Sequence, residues 1–227
     1  MKRASSFLAF LLAMAITAVA QTHYEANIAV GGKAGMSLSR TNFQPSVPQA
    51  LVGGFVVGGT FRYMEEKHFG LIAELNVEQR GWKEKFEGYD YAYSRKFTYL
   101  QLPIMTHVYF GSDKFHAFFN AGPSMGLMIG ESTSSNFDYN HIADIEGFPS
   151  ENRYTEQMTL KVKRKFDYGI TAGLGMEYIA QHKQSFTLEG RLYYGLGDVF
   201  SNKKSDTFSG SGGMSIAITL GYFYRIK

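Results

Sequence analysis

The chain has 227 residues and no cysteine, and it is rich in glycine, phenylalanine and tyrosine (25, 19 and 15 residues). Its 23 basic and 20 acidic residues give a formal net charge of +3 at pH 7. The missing cysteines exclude disulfide crosslinks and a lipid-modified cysteine, and the near-balance of charge gives no reason to expect a nucleic-acid partner.

The N-terminus has the pattern of a secretory signal peptide. Lys2 and Arg3 precede an apolar run over 7–18. The small-x-small pattern Ala18-Val-Ala20 stands at the end of this run. A basic start, a short apolar core and small residues before the cleavage point are typical of a peptide removed during export. The run is shorter than the ~20 residues that a membrane-spanning helix needs. We therefore expect a signal peptide over 1–20 and a single β-barrel domain over 21–227.

The remaining chain alternates between apolar and polar residues in eight segments. They cover 28–39, 51–63, 69–81, 97–110, 115–129, 166–178, 185–195 and 214–226. In 166–178, for example, every even position is apolar or aromatic and every odd position is glycine, threonine or acidic. A period of two is that of a β-strand with two different faces. These segments exceed the ~5–6 residues of ordinary strands and suit tilted membrane strands, which need ~9–11 residues.

Short and long connections alternate between these segments. The short ones are 64–68, 111–114 and 179–184, and the long ones are 40–50, 82–96, 130–165 and 196–213. Outer-membrane barrels have short periplasmic turns and long extracellular loops. The sequence therefore predicts an all-β protein, a closed eight-stranded antiparallel up-and-down barrel in the outer membrane, with both termini in the periplasm.

The last strand also resembles the C-terminal signal by which bacterial outer-membrane barrels are recognised for insertion. That signal reads polar-x-Gly-x-x-apolar-x-apolar, and Thr219, Gly221, Tyr224 and Ile226 fill it. The resemblance implies outer-membrane lipid and the barrel-assembly machinery as partners. The alternative interpretation of this segment is an edge strand of a soluble β-sandwich.

If the apolar faces meet lipid, the polar faces fill the lumen. The inward ionisable residues are then five bases and five acids: Lys33, Arg62, Arg80, Arg191 and Arg225, with Glu74, Glu78, Asp167, Glu177 and Glu189. An eight-stranded barrel is just wide enough for its own side chains, and charges confined there must pair. We predict a plugged lumen, in which Gly169, Gly173 and Gly175 make room for the long arginine side chains.

Catalytic chemistry has one candidate residue. His116, with Ser124 or Glu74, could form a lipid-acting site at the membrane rim, but nothing in the sequence sets the distances between them. The glycine-rich 31–35 lacks the spacing and the following helix of a phosphate loop. No His, Asp or Glu spacing is typical of a metal site. We predict no catalytic, cofactor-binding or metal-binding residues.

An aromatic stretch lies in the second long connection. Tyr89, Tyr91 and Tyr93 alternate there with small or polar residues. Two interpretations are open: an aromatic girdle or loop tip, in which tyrosines border the membrane, and an exposed patch for docking a partner.

Four stretches carry a family resemblance: 31–35, 75–81, 97–104 and 173–178. In these stretches the chain resembles the PorT-like outer-membrane β-barrel family of Bacteroidetes. The run Tyr99-Leu-Gln-Leu-Pro103 is the most specific, and because Pro103 cannot donate to a strand ladder it predicts a bulge or bend. The resemblance implies an eight-stranded outer-membrane protein, with secretion-system proteins as partners in type IX secretion.

The leading hypothesis from the sequence is thus a non-enzymatic structural or secretion-accessory protein. A small porin-like channel is the first alternative, and the balance of inward charges speaks against it. A lipid-modifying barrel enzyme is the second alternative. The resemblance supplies no catalytic residue.

Overall fold

The computed structural model describes residues 26–150, 153–181, 183–203 and 206–226. The expected signal peptide over 1–20 lies outside them. Eight long strands form the wall: β1 (Asn27–Gln44), β2 (Val52–Met64), β3 (Phe69–Glu84), β4 (Tyr93–Gly111), β5 (Phe115–Ser135), β6 (Phe166–Gln181), β7 (Gln184–Asp198) and β8 (Gly210–Arg225). The two-residue strand Gln49–Ala50 pairs with the end of β3.

The strands close into a ring. Each strand pairs antiparallel with its neighbour in the chain, and β1 also pairs with β8. Across this closure Val30 lies opposite Tyr224, and Leu38 lies opposite Ile216. The predicted closed up-and-down barrel is confirmed, and its closure leaves the wall without a free edge along most of its height.

The two ends of the barrel differ. One end carries both terminal strand ends and the short turns, and we call it the turn end. The other carries the long connections, and we call it the loop end. Because outer-membrane barrels keep their short turns in the periplasm, the loop end is assigned to the cell exterior. The helical turns in the described loops, Ile142–Asp144 and Glu156–Met158, are too short to span a bilayer.

The two faces of the wall have opposite chemistry. Large apolar side chains point outward, and several are more than half exposed, such as Met36 (77%), Leu174 (67%) and Leu220 (68%). Charged and hydroxyl side chains on the same strands are buried inside. This arrangement is inverted relative to a soluble sandwich and fits a wall surrounded by lipid. The predicted assignment of faces is confirmed.

Several strands extend further at the loop end than the alternation predicted. β1 continues to Gln44, β4 begins at Tyr93, and β5 continues to Ser135. The reason is physical: beyond the lipid the outward residues need not be apolar, so the alternation ends while the hydrogen-bonded ladder continues.

The bend expected at Pro103 is absent. The register between β4 and β5 is the same on both sides of Pro103, and the shift lies instead between Thr98 and Tyr99, where the ladder passes over Ile129. Pro103 removes one ladder donor, and the pairs that would join 102–103 of β4 to 74–75 of β3 are missing, although the register does not change. The expectation of a bulge at Pro103 was therefore wrong by several residues.

Candidate functional site

The lumen holds the predicted ionisable residues, with one exception. Nine of the ten are buried side chains on the inner face. Arg225 is exposed, because it is the last residue of β8 and lies at the turn end where the barrel opens. Its expected place in the lumen is corrected accordingly, and the other nine form three clusters along the barrel axis.

The central cluster is built around one carboxylate. Glu74 accepts a hydrogen bond from Lys33 Nζ at 2.5 Å and two from the Arg191 guanidinium at 2.5 and 2.9 Å. Arg191 also donates to Glu189 at 2.7 Å. Asn120 then links Glu189 (2.9 Å) to His107 (2.7 Å). Two acids and two bases thus neutralise one another across the full width of the lumen.

The cluster nearest the turn end is a two-pronged ion pair. Both terminal nitrogens of Arg62 donate to Glu177, each at 2.8 Å. Ser185 donates to the same carboxylate at 2.5 Å, and His116 Nδ1 lies 3.8 Å from it. Two parallel hydrogen bonds between a guanidinium and a carboxylate set direction as well as charge, so this pair holds β2 against β6.

The third cluster surrounds Arg80. Its guanidinium donates to Asp167 at 3.0 Å and lies 3.9 Å from Glu78. It is also sandwiched between two rings, 4.3 Å from the centre of Tyr99 and 4.0 Å from that of Tyr193. Cation–π contacts of this kind strengthen when they are shielded from water.

Little space remains between these side chains. Two cavities lined by lumen residues, one beside His107 and Asn120 and one beside Arg62 and His116, measure about 20 Å³ each. A cavity of this size holds about one water molecule. In the described part of the barrel, these two cavities are too small for a solute larger than water.

The lumen glycines make room, but not for arginine. A Cβ at Gly173 would collide with the Glu189 carboxylate, and a Cβ at Gly175 would collide with the Phe118 ring. At Gly169 it would meet Tyr193. The prediction named the wrong neighbours because the side chain that crosses over a glycine depends on the stagger between strands, which the alternation does not reveal.

Above the charges lies an apolar cluster that the sequence analysis missed. We call it the loop-end core. It contains Phe43, Val47, Trp82, Tyr93, Phe97, Tyr99, Met128, Met158, Val199, Phe200 and Phe208. Trp82 is fully buried at its centre, with ring centres of Phe43 and Phe200 at 5.2 and 5.9 Å. The sequence signal that could have revealed it is a set of aromatic residues at inward strand positions, just beyond the inward charged residues on the side of the loop end.

Two charged residues attach the connection between β5 and β6, residues 136–165, to this core. Arg95 pairs with Glu131 at 2.5 Å and donates to the carbonyl of Leu160 at 2.7 Å. Glu84 accepts hydrogen bonds from Trp82 and from Gln157, both at 3.0 Å. Both residues fall outside the predicted strand limits, which is why they were missed.

Glu84 has an unusual environment for a carboxylate. It ends β3, well beyond the lipid-facing Leu75, and its side chain is buried with Arg153 3.8 Å away. Burial raises the pKa of Glu84 above its ordinary value of 4.5, against the lowering effects of the hydrogen bonds from Gln157 and Trp82 and of the Arg153 charge.

The structure does not bring the catalytic candidates together. His116 lies at the turn end, against the Tyr109 ring at 4.3 Å. Ser124 lies eight residues further along the same strand, about 26 Å away at ~3.3 Å per residue. Glu74 is occupied by Lys33 and Arg191. These positions do not form a nucleophile and base within hydrogen-bond reach.

The tyrosine stretch proves mostly packed. Tyr93 is buried and donates to the carbonyl of Met158 at 2.8 Å. Tyr91 packs against Phe137 and Phe148, with ring centres at 5.3 and 5.0 Å. Tyr89 is exposed. These contacts place Tyr91 and Tyr93 in a packed extracellular head and leave Tyr89 as the exposed tip.

A comparison with protein families identifies the group to which this barrel is related. The sequence model of the outer membrane protein beta-barrel domain family matches residues 19–201. The chain belongs to this family. The protein is thus an outer-membrane beta-barrel domain protein, in agreement with its lipid-facing wall. No curated protein matches its sequence.

Three of the solved structures similar to this outer-membrane beta-barrel domain protein are outer-membrane or surface proteins of bacteria. OprG of Pseudomonas aeruginosa is 13% identical with a TM-score of 0.51, covering 88% of this chain and 95% of its own. Neisserial surface protein A is 11% identical with a TM-score of 0.46, covering 87% and 98%. The outer membrane enzyme PagL is 14% identical with a TM-score of 0.40, covering 85% and 97%. At such identities the likeness is one of fold.

Proposed function

We propose that this barrel is a non-enzymatic outer-membrane protein that serves as a structural component or as an accessory of protein secretion. It works through the surfaces at its two ends and conducts nothing through its lumen. The observation that carries the proposal is the filled interior, in which three ion-pair clusters lie beneath the loop-end core.

The packed loop end supports a role in contacting other molecules. Phe86, Tyr91, Phe137 and Phe148 pack together with ring centres between 5.0 and 5.8 Å. A preformed surface binds without the entropic cost of ordering loops. The separation of His116 from Ser124 supports the non-enzymatic part of the proposal.

The secretion role rests on the resemblance to the PorT-like family. That resemblance runs through β1, β3, β4 and β6, the strands that carry the four stretches named above. Type IX secretion exports proteins across the outer membrane, and an accessory barrel there needs a closed lumen so that the membrane remains sealed. The paired charges meet this requirement.

A clean deletion of the gene tests the secretion role. Cell-surface, periplasmic and secreted proteins of the mutant, the parent and a complemented strain are compared by mass spectrometry. We expect proteins with type IX sorting domains to accumulate in the periplasm of the mutant and to return to the surface on complementation. An unchanged set of exported proteins would contradict the secretion role and leave a structural role.

A further inference from the structure

One flank of β5 is left unpaired at the loop end. β5 pairs with β6 as far as Leu127, which lies opposite Phe166, and Met128 then donates to the carbonyl of Lys165. Beyond this point, 130–135 pairs with β4, and among the described residues no strand pairs with its other side. The wall therefore has a notch at the outer border of the lipid-facing band.

The notch forms a groove of about 460 Å³ between β5 and the returning part of the 136–165 connection. Part of its lining is apolar and comes from Met128, Ile129, Met158, Leu160 and Val162. Ile129 is 55% exposed on the outward face. The groove can therefore hold a molecule with an apolar part that continues into the bilayer.

The cations of the groove differ in whether they are already neutralised. Arg95 is buried and pairs with Glu131 at 2.5 Å. Lys161 and Lys165 also line the groove, and both are exposed. Neither forms an ion pair with any residue in the part of the chain that the structure describes. Two lysines without an ion pair thus line the groove.

The height of these lysines matches that of lipid headgroups. Lys165 directly precedes Phe166, whose outward ring is 56% exposed and marks the edge of the lipid-facing band. Lys163 and Arg164 add two exposed cations beside it. Basic residues just outside the apolar band attract anionic headgroups.

We propose that this groove binds a phosphate-bearing lipid of the outer leaflet. The phosphate lies between Lys161 and Lys165, and the apolar part of the lipid lies against Ile129 and Val162. A lipid fits better than a soluble ligand because the groove joins free cations to an apolar surface that continues into the membrane. The bound lipid would cover the unpaired flank of β5.

The test uses the full barrel, extracted from outer membranes in a mild detergent, with diphosphorylated lipid A as the probe. Native mass spectrometry measures the fraction of protein that retains it. We expect K161Q/K165Q to weaken binding about 25-fold, since two cations are lost at about fivefold each. Lipid A without phosphates should bind the parent as weakly as the diphosphorylated lipid binds the variant.

A matched control is available in a second groove at the loop end. Lys83 and Lys96 line this groove of similar volume, about 480 Å³, together with polar residues such as Ser94, Ser134 and Asn136 and apolar residues such as Leu51 and Val52. K83Q/K96Q removes the same charge and should leave lipid binding unchanged. Equal losses in both variants, or equal binding of the dephosphorylated lipid, would overturn the proposal.

Inorganic phosphate distinguishes the lipid from a free anion. If phosphate alone displaces the lipid at concentrations near those of the lipid, the site recognises a soluble anion and the proposal fails. All variants carry substitutions at surface lysines, which should leave the barrel folded. The heat-dependent shift in electrophoretic mobility checks that each variant is folded. Lipid retention and the set of exported proteins are separate measurements, so failure of one does not decide the other.

Discussion

Individual carboxylates carry more than one ion pair in this lumen. Glu74 serves Lys33 and Arg191 at once, with Asn76 as a further donor at 2.8 Å. In a medium of low dielectric, each cation depends on this acid for its compensation. The central cluster is therefore most sensitive at Glu74.

Replacing Glu74 with glutamine should destabilise the barrel by about 3–5 kcal/mol, because two buried cations lose their shared partner. Urea titration of the protein in lipid vesicles measures the loss. Glu87→Gln is the control, since Glu87 pairs with Lys85 in an exposed loop, where water screens the pair, and should leave stability nearly unchanged. Equal stability of the two variants would show that the central cluster contributes little.

Much of the inner face could be predicted residue by residue. Leu71 and Leu75 alternate with Glu74 and Glu78, so a period of two already separates lipid from lumen. The partners could not be predicted, because Glu74 and Arg191 are 117 positions apart. Which inward residues meet across a barrel depends on its stagger, and the stagger is a property of the closed ring.

Among the elements, the 136–165 connection behaves as a lid fixed to the wall. Arg95 of β4 reaches its backbone, and Tyr93 donates to Met158 within it. Hydrogen bonds from charged groups contribute about 1.5–3 kcal/mol each. The side chains of β4, together with Glu84 of β3, therefore help to hold the connection in place.

Substituting Arg95 with methionine should loosen this connection while the barrel stays folded. We expect amide hydrogen exchange around 157–162 to accelerate roughly tenfold or more, which corresponds to the lost charged hydrogen bonds. Lys96→Met changes the neighbouring outward residue and serves as the control. Unaltered exchange in the Arg95 variant would mean that apolar packing alone holds the lid.

The same connection should respond to pH through Glu84. Because its folded pKa is raised, the folded state retains the proton more readily than the unfolded state. The stability of this region is therefore highest at and below pH 4.5 and falls as the pH rises from there through the raised pKa. Hydrogen exchange across this window should show the trend, and Glu84→Gln should abolish it. A trend that persists in the variant would assign it to another group.

Strand limits at the loop end were the least predictable part of the elements. Trp82, Glu84 and Arg95 lie where the outward face is no longer apolar, so no alternation marks them. The inward residues next to them are apolar, whereas closer to the turn end the inward residues are polar. The loop-end core was missed for this reason, since its residues come from strand ends and connections that are far apart in the chain.

At the scale of the whole molecule, the barrel is a cylinder with lipid-facing walls and a lumen filled with its own buried side chains. The ion-pair clusters and the loop-end core block the axis at different heights. An eight-stranded ring has no spare width to route a channel around them. The architecture of the wall could be predicted from the alternation in the sequence. The loop-end core could not be predicted and is seen only in the structure.

Purified protein in planar bilayers should therefore show no large, steady single-channel conductance. The recordings need a parallel check that the protein has inserted, such as protection of its strands from protease in vesicles. An established porin, measured in the same bilayers, is the positive control. Reproducible steady openings of the inserted barrel would revive the small-channel alternative.

The pairing of β1 with β8 has a consequence for how the barrel assembles. Ala29 lies opposite Arg225, so β1 cannot complete its pairing until β8, the last strand of the barrel, has been synthesised. Until they meet, both flanks of the growing sheet carry unpaired amides, which lipid cannot satisfy and which invite aggregation in water. The wall is therefore free of unpaired flanks only after β1 and β8 have paired.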